Sequence, residues 1–229
     1  MPFFKPVAVK EESYEKLDDL LINDSNAEIS KDTIRNHLEG TEWLDNNIIN
    51  FYVGYLREKN PFKNVKIMNS FFYSKIENNE PINRWLKREK VEHNDRVVFP
   101  IHVGGNHWCA GCIDLKLRKI IIMDSLVHKT PPPEPPLIHK AFRKYFQKFL
   151  NKSFMVEVKQ HEQHNGYDCG VWTCAFMWEF VNQESIPDLE DLMVDTAPVR
   201  NYIKWLIVRA AIRVKLRQQM VEFLSKQIV

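Results

Sequence analysis

The chain has 229 residues, 44% of them apolar, enough for one or two domains around a large buried core. Its 32 basic and 30 acidic residues leave a formal net charge of +2, too weak a field to collect nucleic acid or a membrane surface. No apolar run reaches the ~18 residues of a spanning helix, the start MPFFKPVAVKEE is charged too early for a secretory leader, and four cysteines (Cys109, Cys112, Cys169, Cys174) are too few for a disulfide framework.

From Glu11 to Ile22, Tyr14, Leu17, Leu20 and Leu21 keep helical spacing and predict a helix. Ser30 is placed to cap a short helix through Ile34 and Leu38. In TEWLDNNIINFYVGYLREKN, Leu44, Ile48, Phe51, Tyr52, Tyr55 and Leu56 form one apolar face, with Thr41 as the expected N-cap and Pro61 as the stop. Residues 69–89 are again amphipathic, and the polar turn Glu77-Asn78-Asn79-Glu80-Pro81 divides them into two helices. RVVFPIHV, HWCAGCIDL and RKIIIMDSL are short branched runs that predict three neighbouring strands in a meander. HKTPPPEPP, with Pro131 to Pro136, reads as an exposed extended loop. A helix over 137–150, a strand over 154–160, a helix from Cys169 to about Asn182 and a long helix from Pro198 to Gln227 complete an α+β pattern with a central sheet.

The stretch QHEQHNGYDCGVWTC, residues 160–174, holds the most chemistry. Asn165-Gly166-Tyr167-Asp168 is turn material, so Cys169 falls at a helix N-terminus, where backbone N–H groups and the macrodipole favour thiolate by ~0.3–1 kcal/mol. A cysteine nucleophile also needs a base, an orienter for that base and donors for an oxyanion. His107 opens a strand after Gly104-Gly105-Asn106, and Asp124 ends the next. An antiparallel hairpin whose paired numbers sum to about 231 puts them opposite each other. Gln163, six residues before Cys169, can turn its amide toward a developing oxyanion, with Gln160 as a competing amide.

HWCAGCIDLKLRKIIIMDSL, EQHNGYDCGVWTC and the upstream EWLDNNIINFYVGYL together resemble the ubiquitin-like-protein-specific cysteine proteases, the SUMO (sentrin) protease family. The resemblance runs from about Ile29 to Leu206 and implies a papain-like α+β fold with a central mixed sheet. On it, residues 1–229 are one catalytic domain, with 207–229 as a C-terminal helical extension. It also implies His107, Asp124 and Cys169 as catalytic triad and Gln163 as oxyanion donor. Trp43 and Trp108 take the positions of tryptophans that line the narrow channel for the modifier's diglycine tail. The activity implied is cleavage after that diglycine, in SUMO precursors or in isopeptide conjugates, by a monomer in the nucleus and/or cytoplasm, without metal or organic cofactor. SUMO or a related modifier and its conjugates are then the partners, with no nucleic acid and no membrane span.

One departure bears on substrate: where the family often reads WLND or WLNDE, this chain has Asn46 and Asn47 after Asp45. A protease for another ubiquitin-like modifier therefore stays open. So do an acetyltransferase with a similar Cys-His-acid site and a binding module without catalysis.

Other features have plainer readings. WCAGC suggests a redox dithiol, but in a strand Cys109 and Cys112 point to opposite faces, and no second pair completes a zinc site. His161 and His164 read as solvated loop residues, and Trp43 and Trp108 taken alone as core aromatics. Arg200, Lys204, Arg209, Arg213, Lys215 and Arg217 give the last helix a basic face, read as solvated, or less simply as a partner or nucleic-acid surface.

Overall fold

The computed structural model describes residues 14–24, 27–78, 80–126, 154–183 and 194–226. The proline-rich loop and the helix expected over 137–150 lie outside them. Labels below number the described elements in chain order.

Of the helix expected over Glu11–Ile22, Tyr14 and Glu15 are helical among the described residues, but the stretch does not continue as helix to Ile22. Residues Leu20–Asn23 are a strand, β1, paired antiparallel with β2, Glu28–Ser30. Asp24 Oδ1 accepts the Ala27 N–H at 3.1 Å. Pairing with a second strand overrides helical spacing here, because Leu21 and Ile22 are buried in strand form while Leu20 stays exposed. Ser30 does cap the next helix, α1, Lys31–Ile34. Its hydroxyl accepts the Thr33 N–H at 3.1 Å, and Thr33 Oγ1 accepts the Ser30 N–H at 3.2 Å. A π-helical turn, Arg35–Glu39, continues it and buries Leu38.

Helix α2 is Asn46–Lys59, and its N-cap is Asp45, not Thr41: Asp45 Oδ1 accepts the Ile48 N–H at 2.9 Å. Residues 41–44 stay outside the helix because other segments hold them, as described below. Ile48, Tyr52 and Leu56 are buried as the face requires. After β3, Val65–Ile67, the amphipathic stretch splits into α3, Phe71–Glu77, and α4, Asn83–Arg88.

Strands β4 (Arg96–Val103), β5 (His107–Asp114) and β6 (Lys119–Asp124) form the meander, and β7 is Met155–Gln160. The sheet order is β3-β4-β5-β6-β7, antiparallel in the middle and parallel at both edges. Helices α5, Cys169–Asn182, and α6, Thr196–Ser225, complete the described elements. The architecture is therefore α+β with a mixed sheet flanked by helices.

Alternation along the strands divides the core in two. Val98, Ala110, Cys112, Ile121 and Met123 pack with α2, α5 and α6, whereas Phe99, Cys109, Ile113, Ile120 and Ile122 pack with α3 and α4. Cys109 and Cys112 thus face opposite sides, as strand geometry requires. Gly111 is needed for this packing, since a Cβ there would sit 2.4 Å from the Phe99 ring. Among the described residues, no helix is long and apolar enough to cross a membrane.

Candidate active site

The turn before β5 places Gly104 at φ 59° and Gly105 at φ 78°, left-handed conformations that glycine adopts without a Cβ clash. It lets Val103 pair with His107, so the imidazole is carried by the first residue of a central strand. The ladder between β5 and β6 runs from Asp114↔Lys119 to Ala110↔Met123, a sum of 233 and not the expected 231. The shift comes from the connecting turn. Asp114 Oδ1 accepts the N–H groups of Lys116 and Leu117 at 3.0 and 2.8 Å, and Arg118 adopts φ 54°, so Asp114 and Lys119 become the closing pair. Asp124 is consequently level with Cys109. A slip of two keeps side-chain parity, so the carboxylate still reaches His107 diagonally. His107 Nε2 lies 2.7 Å from Asp124 Oδ1, which also accepts the Leu126 N–H at 2.9 Å.

Cys169 is the first residue of α5 and is nearly fully buried. The preceding loop is an Asx turn: Asn165 Oδ1 accepts the N–H groups of Tyr167 and Asp168 at 3.0 and 2.9 Å. Gly170 permits close approach of the segment before α2, since a Cβ there would meet Leu44 Cβ at 2.8 Å.

Burial alone is the largest influence on His107 and pulls its pKa down. The hydrogen bond to Asp124, followed by those with the thiols of Cys109 and Cys169, outweighs it, and the net shift is well upward. The ring is thus set up as an imidazolium, with Nε2–H given to Asp124 and Nδ1 left for the thiols. Burial pushes Cys109, Cys112 and Cys174 up, which keeps those three as neutral thiols.

Sequence reasoning missed one neighbour. A ring nitrogen of His107, Cys109 Sγ and an Asp124 oxygen all lie within 4.8 Å of one another. The i, i+2 spacing of His107 and Cys109 on one strand was the available signal. These donor types can ligate a metal, but His107 and Asp124 are already hydrogen-bonded to each other, so the group reads as a dyad with a thiol beside it.

Gln163 is buried and held on three sides. Its N–H donates to Ser125 O at 2.8 Å, its Oε1 accepts the Ser125 hydroxyl at 2.6 Å, and its Nε2 donates to Asn165 O at 2.6 Å. The Asn165 carbonyl, which can only accept, fixes which end of the amide is NH2, and one Nε2 hydrogen is left uncommitted by these contacts. Gln160, at the end of β7, is exposed.

The two tryptophans are placed differently. Trp43 is exposed, and its Nε1 donates to Gly166 O at 2.7 Å, on the loop that leads to Cys169. Trp108 is only 4% exposed, donates from Nε1 to Leu44 O at 2.9 Å, and stacks on His102 at 4.2 Å. Asn46 is exposed, while Asn47 bridges the Glu28 N–H and Asp45 Oδ2 at 3.2 and 3.1 Å. The expected basic face also needs correction: Arg200 is buried and paired with Asp168 at 2.7 Å, and Lys204 is paired with Glu39 at 2.6 Å.

Residues 42–200 match the Ulp1 protease family, C-terminal catalytic domain. The chain belongs to this family. It is 30% identical over 204 residues to ubiquitin-like-specific protease 1 of Saccharomyces cerevisiae, covering 84% of this chain and 31% of the yeast protein. It is 28% identical over 152 residues to human sentrin-specific protease 2, covering 61% of this chain and 26% of that protein. It therefore spans about a third or less of the length of these relatives. Among solved structures it resembles SUMO protease Ulp1 with the catalytic cysteine oxidised to a sulfenic acid, with a TM-score of 0.74 at 26% identity, covering 90% of this chain and 98% of that one. It also resembles the C-terminal Ulp1 protease domain in complex with Smt3, the yeast ortholog of SUMO, with a TM-score of 0.71 at 27% identity over 88% and 92% of the two chains. The matched family span contains every candidate site residue discussed above, from Trp43 to Cys169.

Proposed function

We propose that the chain is a cysteine protease that cleaves after the C-terminal diglycine of SUMO, maturing precursors and releasing SUMO from lysine isopeptide bonds. The observation that carries this reading is the 2.7 Å His107–Asp124 pair, whose imidazole is influenced by the thiol of a cysteine at the start of a buried helix, in a member of the Ulp1 family. Asp124 orients the imidazole, and His107 holds the proton that Cys169 gives up as it reacts. The thiolate attacks the terminal glycine carbonyl, whose oxygen becomes an oxyanion facing Gln163 Nε2 and the N–H groups at the start of α5. His107 gives its proton to the departing lysine amine, leaving a thioester. Water then loses a proton to His107 as it attacks the thioester, and carboxylate and Cys169 are released.

Trp43 and Trp108 flank the approach to Cys169 in this account, and a channel between indole faces admits glycine while any Cβ clashes. The four cysteines are free thiols, in keeping with action in the reducing nucleus or cytoplasm. A different ubiquitin-like modifier is the second reading, favoured by Asn46 at the exposed start of α2, where the family often carries an acid.

A panel of modifier-aminocoumarin substrates separates the two. SUMO should be turned over and the others spared. Turnover confined to another modifier would move the assignment, and acetyl transfer from acetyl-CoA without modifier cleavage would overturn it.

A further inference from the structure

Arg200 lies on α6, far from Cys169 in sequence, yet its guanidinium ends at the turn that delivers Cys169. Nε and Nη2 donate to Asp168 Oδ1 at 2.8 and 2.7 Å, and Nη2 also reaches Tyr167 O at 3.2 Å. Nη1 and Nη2 lie 3.1 and 3.2 Å from Glu42 O, and Nη1 donates to His37 O as well. Both ends of the ion pair are almost completely buried, with side-chain exposures of 8% for Arg200 and 4% for Asp168. Only the planar fork of an arginine can serve acceptors on three segments at once.

The consequence for Asp168 is unusual. An aspartate immediately before a helix normally turns its carboxylate inward and accepts the N–H groups of the first turn. Asp168 does not: its side chain makes no cap bond, and its second oxygen accepts from Asn165 Nδ2 at 2.8 Å. Left free, the same carboxylate would occupy the N–H groups that an oxyanion needs and place a negative charge one residue from a thiolate.

We infer that Arg200 is a positioning residue for the reaction: it holds the Asp168 carboxylate away from the start of α5 and neutralises it, leaving the first-turn donors open beside Cys169. This rests on the proposed role of Cys169, but not on the identity of the modifier. The same guanidinium ties down the 37–42 segment. His37 Nδ1 lies 2.5 Å from Trp43 O, so the wall that carries Trp43 hangs from the same anchor.

The test is the rate at which iodoacetamide alkylates Cys169, mapped by mass spectrometry, alongside kcat on a modifier substrate. Arg200→Met should slow alkylation and lower kcat by about tenfold or more, because it frees the carboxylate. Arg200→Lys keeps the charge and should stay within about threefold in alkylation, and Arg200→Met/Asp168→Ala, which removes the offending carboxylate, should recover to a similar level. A mere brace predicts otherwise, since both the lysine and the double variant lose the fork. Equal impairment of all three, or a folded Arg200→Met with unchanged rates, overturns the inference. If Arg200→Met does not fold, the other two decide: wild-type-like alkylation supports the inference, and a tenfold loss in the folded double variant overturns it. Alkylation needs no modifier, so a chain that cleaves no SUMO while keeping this pattern would refute the proposed function and leave the role of Arg200 standing.

Discussion

At the scale of single residues, the chemistry depends on how each polar group is held. Gln163 sits in a socket made by Ser125 and Asn165, so its amide needs no reorganisation when charge develops on a carbonyl oxygen. Gln163→Ala should therefore lower kcat by ~10²–10³ with little change in KM, the usual signature of one lost oxyanion donor. Gln160→Ala should leave kcat near wild type, and the reverse result in steady-state assays would show the wrong amide was chosen. His107 gives a pH prediction. Its folded-state pKa is raised, so its pair with Asp124 contributes fully below the unfolded histidine value of about 6.5 and is lost as pH rises through the folded value. Melting temperatures of the wild type and Asp124→Asn should converge as pH rises above neutrality. A gap that widens with pH would contradict the imidazolium assignment.

Elements set where those residues arrive, and here the sequence was legible in uneven degrees. Helix α5 begins at Cys169 as read, because turn chemistry and a predominantly apolar run meet at one residue. The meander was equally plain from its branched runs. Thr41 was misjudged as a cap because the contacts that hold residues 41–44 outside the helix come from Arg200 and Gly166, more than a hundred residues away. β1 was taken for a helix because its partner strand, three residues long, carries almost no periodic signal. The hairpin register was off by two because a four-residue turn with Arg118 in the left-handed region cannot be read from composition. The tryptophans show the same limit, since position in a motif does not reveal burial. Trp108→Ala should cost ~3–5 kcal/mol of stability, as loss of a core aromatic does. Trp43→Ala should melt near wild type but raise KM for diglycine substrates. Denaturant unfolding and kinetics on the two variants check both, and a stable Trp108→Ala would show that its ring does not brace the core.

The whole molecule brings the candidate site together at one end of the sheet. β5 supplies the base, β6 the carboxylate, the loop after β7 the amide and α5 the thiol, while α6 reaches back through Arg200 to lock the turn between them. Two apolar layers, one on each side of the sheet, hold these pieces in register, so the geometry is a property of the fold and not of one mobile loop. The beginning of α6 serves this purpose. Its later turns expose Leu216, Met220, Phe223 and Leu224 and contribute nothing visible to the site.

The central claim is that Cys169, and no other thiol, is the nucleophile toward a diglycine-ended modifier. SUMO carrying an electrophile in place of its terminal carboxylate, reacted with the wild-type chain and mapped by peptide mass spectrometry, addresses it directly. One adduct, at Cys169 and absent in Cys169→Ala, is the predicted result, with cleavage abolished in that variant and SUMO binding retained. An adduct on Cys109, Cys112 or Cys174, or cleavage surviving in Cys169→Ala, would contradict it.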